Sequence, residues 1–335
     1  MKGLNFPKEV WLALICAAVV IVSLFCVTGY AGGYGKLVDG KVDVNYRASL
    51  FSDMLLDYKR DGGEWSFGYF VPLAVAGLFF CRRKELMKTP VQPALVSGAF
   101  LLLLGFLFYW AGYRGHQKYF GYASGQIVVL GAILWFLGWK WFGQVFWLWV
   151  LLGMMWPWRF LIERISAPLQ LIMVKLTSGF MNLIGVDAVA SGSALTTGSL
   201  DPITKLPISL DIHVECSGMR SLFALVMIGL VFAFLRVRDE WKRWVLMAFV
   251  PFVAVAGNFV RMLMLFFGSL LWGTKFAIGE GHHDISPFHI FSGLAVFVVA
   301  LVLMSLLVSV LEGGWKKVFK KSKVVRREIV RENEG

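Results

Sequence analysis

Residues 287–311 read PFHIFSGLAVFVVALVLMSLLVSVL, an apolar run that contains no Asp, Glu, Lys or Arg. A run of about 20 apolar residues is long enough to cross the hydrocarbon core of a bilayer as a helix. Residues 244–271 form a second long run, in which Arg261 is the single charged residue. These two stretches predict membrane-spanning helices in the C-terminal half of the chain.

The composition of the whole chain predicts several more such helices. Of its 335 residues, 58% are hydrophobic and 16% are charged, whereas about 25% of the residues in soluble domains are charged. This balance excludes a disordered chain and most soluble enzymes, and it predicts a polytopic membrane protein. The four cysteines are too few and too scattered along the chain to indicate a disulfide framework.

The apolar runs predict an all-α polytopic fold with about eight transmembrane helices, some of them short. We place these spans at residues 9–29, 67–81, 93–113, 127–141, 144–158, 218–235, 244–271 and 287–311. The first run resembles a signal peptide but has no clean small-x-small cleavage site, so we expect an uncleaved helix. Residues 1–315 are assigned to one integral membrane domain and residues 316–335 to a basic cytoplasmic tail.

The distribution of basic residues predicts the orientation of these spans. The formal net charge of +12 comes from Lys and Arg in short loops and in the C-terminal tail, which favours membrane orientation over nucleic-acid binding. Clusters at 82–88 and 236–243, and the tail after Glu312, all face the cytoplasm if both termini are cytoplasmic. We therefore predict a multi-pass protein of the cytoplasmic (inner) membrane, with residues 159–215 and 272–286 outside.

The longest segment between spans, which follows span five, carries two weaker patterns. Residues 161–185 mix apolar and polar positions around Pro168, as in an amphipathic helix that lies at the membrane interface. Residues 208–214 alternate between apolar and polar, which is typical of a half-buried strand. Residues 193–200 can pair with them through the Asp201-Pro202 turn. We thus expect an extracytoplasmic amphipathic helix and a small β-hairpin between spans five and six.

Residues 215–222, ECSGMRSL, follow this strand and begin the sixth span at its outer end. Cys216 is a candidate nucleophile, because a helix N-terminus and a nearby guanidinium favour the reactive thiolate. Gly218 allows a substrate carbonyl to approach the backbone, where free amides of the first helical turn can hold an oxyanion. The alternative is a buried structural cysteine at a helix start.

Two arginines lie near this outer end. Arg220 is one turn from Cys216, where it is either a substrate-binding residue or an arginine that snorkels to the interface. Arg261 lies inside the seventh span and is costly there unless it faces protein or water. We predict that it stabilises the transition-state oxyanion, with Asn258 on the same helix face as a substrate-binding residue. The alternative for Arg261 is a structural ion pair.

Histidines crowd the last extracytoplasmic loop. His282, His283 and His289 lie within eight residues, on the same predicted side as Cys216. One of them can act as a general base that accepts the thiol proton and later protonates the leaving amine. We favour His283, with His282 and His289 as alternatives. Together with Asp284 and His213 they also offer enough ligands for zinc, although neither an HExxH motif nor paired cysteines support a metal site.

Several blocks between about residue 60 and residue 300 form a larger pattern. They are EWSFG at 64–68 with Pro72 and Arg82-Arg83, PLQ at 168–170, ECSG at 215–218 with Arg220, Asn258-x-x-Arg261, and His283-Asp284. In this combination the chain resembles the exosortase/archaeosortase family of polytopic sorting enzymes. The resemblance implies a membrane cysteine protease or transpeptidase that works through an acyl-enzyme thioester and requires no cofactor.

The resemblance also implies the partners. Exosortases act on secreted proteins whose C-termini carry a short PEP-CTERM-like signal, a transmembrane helix and a basic cytoplasmic end. Substrate proteins of this kind and the lipid bilayer are therefore the expected partners, and nucleic acid is not. A polytopic transporter or a polysaccharide export or assembly subunit is the alternative, in which Arg261 and the histidines would line a pathway.

Overall fold

The computed structural model describes residues 19, 21–31, 36–38, 41–43, 48–59, 65–211, 219–281 and 284–313. These residues are mostly helical, as predicted, and the sheets between the helices are small. The chain divides into two compact units, Met1–Trp158 and Arg159–Gly335.

The first unit contains five α-helices among its described residues, together with short strands. Strand β1 pairs antiparallel with β4, and β2 pairs antiparallel with β3. In chain order the elements are a π-helical turn Ser23–Val27, β1 Gly29–Ala31, β2 Lys36–Val38, β3 Lys41–Asp43, β4 Ala48–Ser49, α1 Leu50–Lys59, a 3-10 turn Ser66–Phe70, α2 Val71–Leu86, α3 Leu95–Gly115, α4 Lys118–Phe136 and α5 Trp139–Gly153.

Helices α3 and α4 form a tight antiparallel hairpin. His116 and Gln117 join them, and His116 adopts the left-handed conformation (φ 52°) that ends α3. The two backbones approach closely at Gly98, where an added Cβ would lie 2.7 Å from the backbone nitrogen of Trp135. Small residues permit such close contact between membrane helices, so this glycine sets the spacing of the pair.

A buried charge cluster fixes the start of α4 to α1. The ammonium group of Lys118 donates to Asp57 Oδ2 at 2.6 Å and lies 3.4 Å from Asp53 Oδ2. Both carboxylates are buried, so the lysine offsets a charge that would otherwise be costly to remove from water. This contact requires the two segments to lie on the same side of the membrane.

The second unit contains the predicted site. Its elements in chain order are α6 Arg159–Leu183, β5 Ala188–Ser191, β6 Ala194–Leu200, β7 Pro207–Asp211, α7 Met219–Leu235, α8 Glu240–Trp272, α9 Thr274–Ala277, β8 Gly279–Gly281, β9 Asp284–Ile285 and α10 Pro287–Leu311. Helix α6 continues through Pro168 and covers the segment that the sequence predicts to be amphipathic. Its position at the membrane interface stays a prediction.

A three-stranded sheet, in the order β5-β6-β7, follows α6. Strands β6 and β7 pair antiparallel with Leu195 opposite Leu210, while β5 adds a strand that the sequence pattern did not predict. One face of the sheet packs on α6 and α8, in a core formed by Val174, Met181, Ala188, Leu195, Ile208, Leu210, Met262 and Phe266. This packing fixes the strand before Cys216 against the helix that carries Arg261.

Four described helices, α3, α4, α8 and α10, are long and apolar enough to cross a membrane. Helices α2, α5 and α7 are shorter, with 16, 15 and 17 residues. Eight spans therefore stay a prediction, and residues 9–18 of the first run lie outside the described residues. The predicted boundaries 127–141 are wrong, because α4 begins at Lys118 and ends at Phe136, before Gly138 (φ 85°) turns the chain.

The carboxylate of Asp201 joins the β6–β7 turn to the start of α9. Its Oδ2 accepts from the hydroxyl and the backbone N–H of Thr274, both at 2.6 Å. Its Oδ1 accepts from the backbone N–H groups of Ile203 and Thr204 at 2.8 and 2.9 Å. These bonds, those from Thr274 first, hold the pKa of Asp201 well below its usual range.

We expect Asp201→Asn to lower the melting temperature at neutral pH, because an amide nitrogen cannot accept the bonds that one carboxylate oxygen accepts now. The folded-state pKa lies below the unfolded value of about 4, so this stabilisation is present above that pH and is lost as the pH falls. The difference in melting temperature between wild type and variant should therefore become smaller as the pH falls. Thermal melts of the detergent-purified protein between about pH 3 and 7 measure it. The exposed Asp187→Asn serves as the control, and equal melting temperatures at neutral pH would contradict the assignment.

Candidate active site

Arg261 and His289, two of the predicted site residues, meet across helices α8 and α10. The Nη2 atom of Arg261 lies 2.7 Å from Nε2 of His289, and both side chains are half-buried. A guanidinium only donates hydrogen bonds, so the imidazole accepts through Nε2. Neutral His289 then carries its proton on Nδ1.

A glycine of α10 lies beside the guanidinium of Arg261. Gly293 lies one turn after His289, and a Cβ added there would lie 3.9 Å from Cζ, Nε and Nη2 of Arg261. Among the described residues, Nε of Arg261 has no hydrogen-bond acceptor. This nitrogen is itself buried.

The first turn of α10 is fixed by Ser286. Its Oγ accepts from the backbone N–H of His289 at 3.0 Å and donates to the carbonyl of Ala277 at 3.0 Å. Pro287 occupies the first helical position, where its missing N–H and fixed φ suit a helix start. The hydroxyl of Ser292 in turn donates to the carbonyl of His289 at 2.8 Å. His289 is thus held in a defined backbone position.

Asn258 lies on α8, about one turn before Arg261 in the chain. It is 2% exposed, so its polar amide is buried. The spacing of three residues places both side chains on one face of α8, as the sequence predicted.

Cys216, Gly218, His282 and His283 lie outside the described residues, and the structure places Arg220 in the first turn of α7. The described segments that precede and follow residues 212–218 both pack on α8. Strand β7 packs on Met262, the neighbour of Arg261, and Leu222 of α7 lines the same cavity as Asn258. The position of the Cys216 thiol relative to Arg261 stays a prediction.

The described residues contain no group of three or more His, Cys, Asp and Glu side chains that could hold a metal ion. The zinc alternative depends on His213, His282 and His283, which lie outside the described part of the chain. It therefore stays open.

Comparison with models of known protein families matches residues 60–306 to the transmembrane exosortases. The match covers most of the chain, including α8 and the start of α10. This chain belongs to the transmembrane exosortase family. Neither the curated proteins nor the solved structures contain a match to this exosortase.

Two features near Arg261 and His289, a helix cap and a glycine, were not singled out from the sequence. The Ser286-Pro287 pair has the form of a helix cap followed by a first-position proline, which is a recognisable signal. Gly293 carries no such signal, because its role depends on the contact between α8 and α10.

We expect Ser286→Ala to lower the free energy of unfolding by about 1 kcal/mol, the usual loss when a capping hydroxyl is removed. Denaturant titration of the purified protein measures this change. Ser309→Ala is the matched control, because Ser309 donates only to Ser305 of the same helix and is exposed. Equal effects of the two substitutions would contradict the role of Ser286.

Proposed function

We propose that this exosortase is a membrane-embedded cysteine protease or transpeptidase. It cleaves secreted proteins near a C-terminal PEP-CTERM-like signal, on the extracytoplasmic face of the membrane. The observation that carries the proposal is the 2.7 Å contact between Arg261 and His289. It places an acid–base group of α10 beside a cation of α8, and the strand before Cys216 packs on the same part of α8.

Cys216 is the proposed nucleophile and a histidine is its base. His289 is the histidine that the geometry supports, since it contacts Arg261 directly. His283, which the sequence favoured, and His282 are the alternatives. A base must come within hydrogen-bond reach of the proton that it accepts, so separate substitutions can decide among the three.

In this geometry the guanidinium of Arg261 occupies the lone pair of His289 Nε2. A scissile carbonyl that accepts from Arg261 competes for the guanidinium and releases this nitrogen. Nε2 then takes the thiol proton while the sulfur attacks the carbonyl carbon. Arg261 and the backbone amides near Gly218 stabilise the resulting oxyanion, as in other acyl-transfer sites.

Collapse of the tetrahedral intermediate breaks the C–N bond and leaves a thioester on Cys216. The proton on Nε2 passes to the departing amine, which diffuses away with the C-terminal helix of the substrate. Water or an acceptor amine then attacks the thioester and restores the thiol. Arg220 and Asn258 are proposed to bind the substrate around the scissile bond.

We expect Cys216→Ala and Arg261→Ala to abolish cleavage of a cognate PEP-CTERM-type fusion protein, with losses of about 10⁴-fold or more for the nucleophile. His289→Asn should approach the same loss, whereas His283→Asn should retain more activity. Cleavage is followed on gels of membranes that contain enzyme and substrate.

His116→Asn is the control for these substitutions, since His116 lies at the α3–α4 turn and asparagine tolerates its left-handed conformation. Full activity of Cys216→Ala would refute the proposal and leave the transporter alternative. A severe loss in His283→Asn together with full activity in His289→Asn would reassign the base and keep the reaction.

Gly293 provides an independent test of the guanidinium position. A Cβ at this residue would make only ordinary contact with Arg261, so Gly293→Ala should keep nearly normal activity. The larger side chain in Gly293→Val reaches the guanidinium and displaces it, which should lower kcat by about 10²-fold. Steady-state cleavage kinetics and melting temperatures check this prediction, and equal activity of the two variants would contradict it.

A further inference from the structure

A cavity of about 160 Å³ lies beside α8, between this helix and helices α6 and α7. Its lining is apolar except for one amide: Ile165 and Leu169 come from α6, Leu222 from α7, and Ala254, Val255 and Asn258 from α8. An apolar cavity of about 150 Å³ holds a benzene-sized group. This cavity is therefore large enough for one large apolar side chain.

The cavity begins next to the proposed catalytic residues and leads away from them along the membrane-spanning helix. Asn258, at the near end, is one turn from Arg261, and Pro251 lines the far end. Seven residues of helix between Asn258 and Pro251 correspond to about 10 Å. The cavity thus extends from the depth of Arg261 toward the cytoplasmic end of α8 in the predicted orientation.

The cavity also opens to the outside of its unit. Ile165 is 40% exposed and Pro251 is exposed, whereas Ala254 at the base is buried. Pro251 belongs to the membrane-spanning helix α8, where exposed apolar surface faces lipid or another apolar helix. A transmembrane helix that moves within the bilayer can therefore place a side chain into the cavity without passing through water.

We propose that this cavity binds an apolar side chain from the first turn of the substrate's transmembrane helix, on the C-terminal side of the scissile bond. The inference rests on the proposed function, in which the chain after the cleavage point must pass from Arg261 into the bilayer. The cavity lies on that path, and its lining matches an apolar side chain. Asn258 places one polar group at the end of the cavity that is nearer to Arg261, where the substrate backbone would enter.

Occupancy of the cavity would give the enzyme a size preference at one position of the substrate. A hydrophobic pocket distinguishes side chains that differ by one methylene by about 10- to 200-fold. The relevant position is the first large apolar residue of the substrate helix, so substrates with Leu or Ala at that position should differ in kcat/KM.

The test combines a filled cavity with two matched substrates. Ala254→Leu places a larger side chain at the base of the cavity, and Ala256→Leu makes the same change on the exposed face of α8. The substrates are PEP-CTERM-type fusions whose helix begins with Leu or with Ala. We expect Ala254→Leu to lower kcat/KM for the Leu substrate at least 10-fold more than for the Ala substrate. The reason is that a hydrophobic pocket distinguishes side chains that differ by one methylene by about 10-fold or more. Ala256→Leu should leave both values unchanged.

Photo-crosslinking provides a measurement that does not depend on the folding of Ala254→Leu. A diazirine analogue of leucine at the same substrate position, bound to the Cys216→Ala protein, should crosslink to residues 165–169 or 251–258. Crosslinks only elsewhere in the protein, or only to lipid, would overturn the inference.

The outcomes separate this inference from the proposed function. If Ala254→Leu cleaves both substrates as wild type does, or loses activity equally toward both, the cavity does not select the side chain. The proposed reaction would still stand, provided that Cys216→Ala is inactive. Full activity of Cys216→Ala would instead remove both.

Discussion

One constraint shapes the second unit of this exosortase: the membrane-spanning helix α8 carries the guanidinium of Arg261, which needs a polar partner. Arg261 cannot be left without partners there, because an unpaired arginine costs several kcal/mol at bilayer depth. His289 accepts its hydrogen bond, Ser286 holds the turn that carries His289, and Gly293 lies beside the guanidinium. The start of α10 is thus arranged around a side chain of α8.

The choice of partner has an electrostatic consequence. A carboxylate beside Arg261 would neutralise the guanidinium, whereas a neutral imidazole satisfies a donor and leaves the positive charge in place. His289 therefore does not neutralise the guanidinium, and in a medium of low dielectric constant the attraction of this cation for an anion is strong. A tetrahedral oxyanion is such an anion, so the contact suits a reaction in which negative charge develops beside His289.

Some of this arrangement could be predicted from the sequence, and some depends on long-range packing. Helical periodicity alone places Asn258 and Arg261 on one face of α8, and apolar length alone predicts α8 and α10. The contact between Arg261 and His289 could not be predicted, because three histidines lie close together and tertiary packing decides which of them meets the arginine. Strand β5 was missed because its four residues show no alternation between apolar and polar side chains. The start of α4 was missed because a charged residue such as Lys118 is typical of a loop, and its ion pair with Asp57 is a long-range contact.

The two-residue link between α3 and α4 bears on how the first unit enters a bilayer. With 21 and 19 residues, these helices are about 31 and 28 Å long at 1.5 Å per residue. The link is too short to let one helix slide past the other, and Gly98 keeps their backbones in contact. The pair must insert as a single element of fixed height. In a membrane whose hydrocarbon layer is thicker than this height, neither helix can adjust separately, so the surrounding lipids must thin to match it.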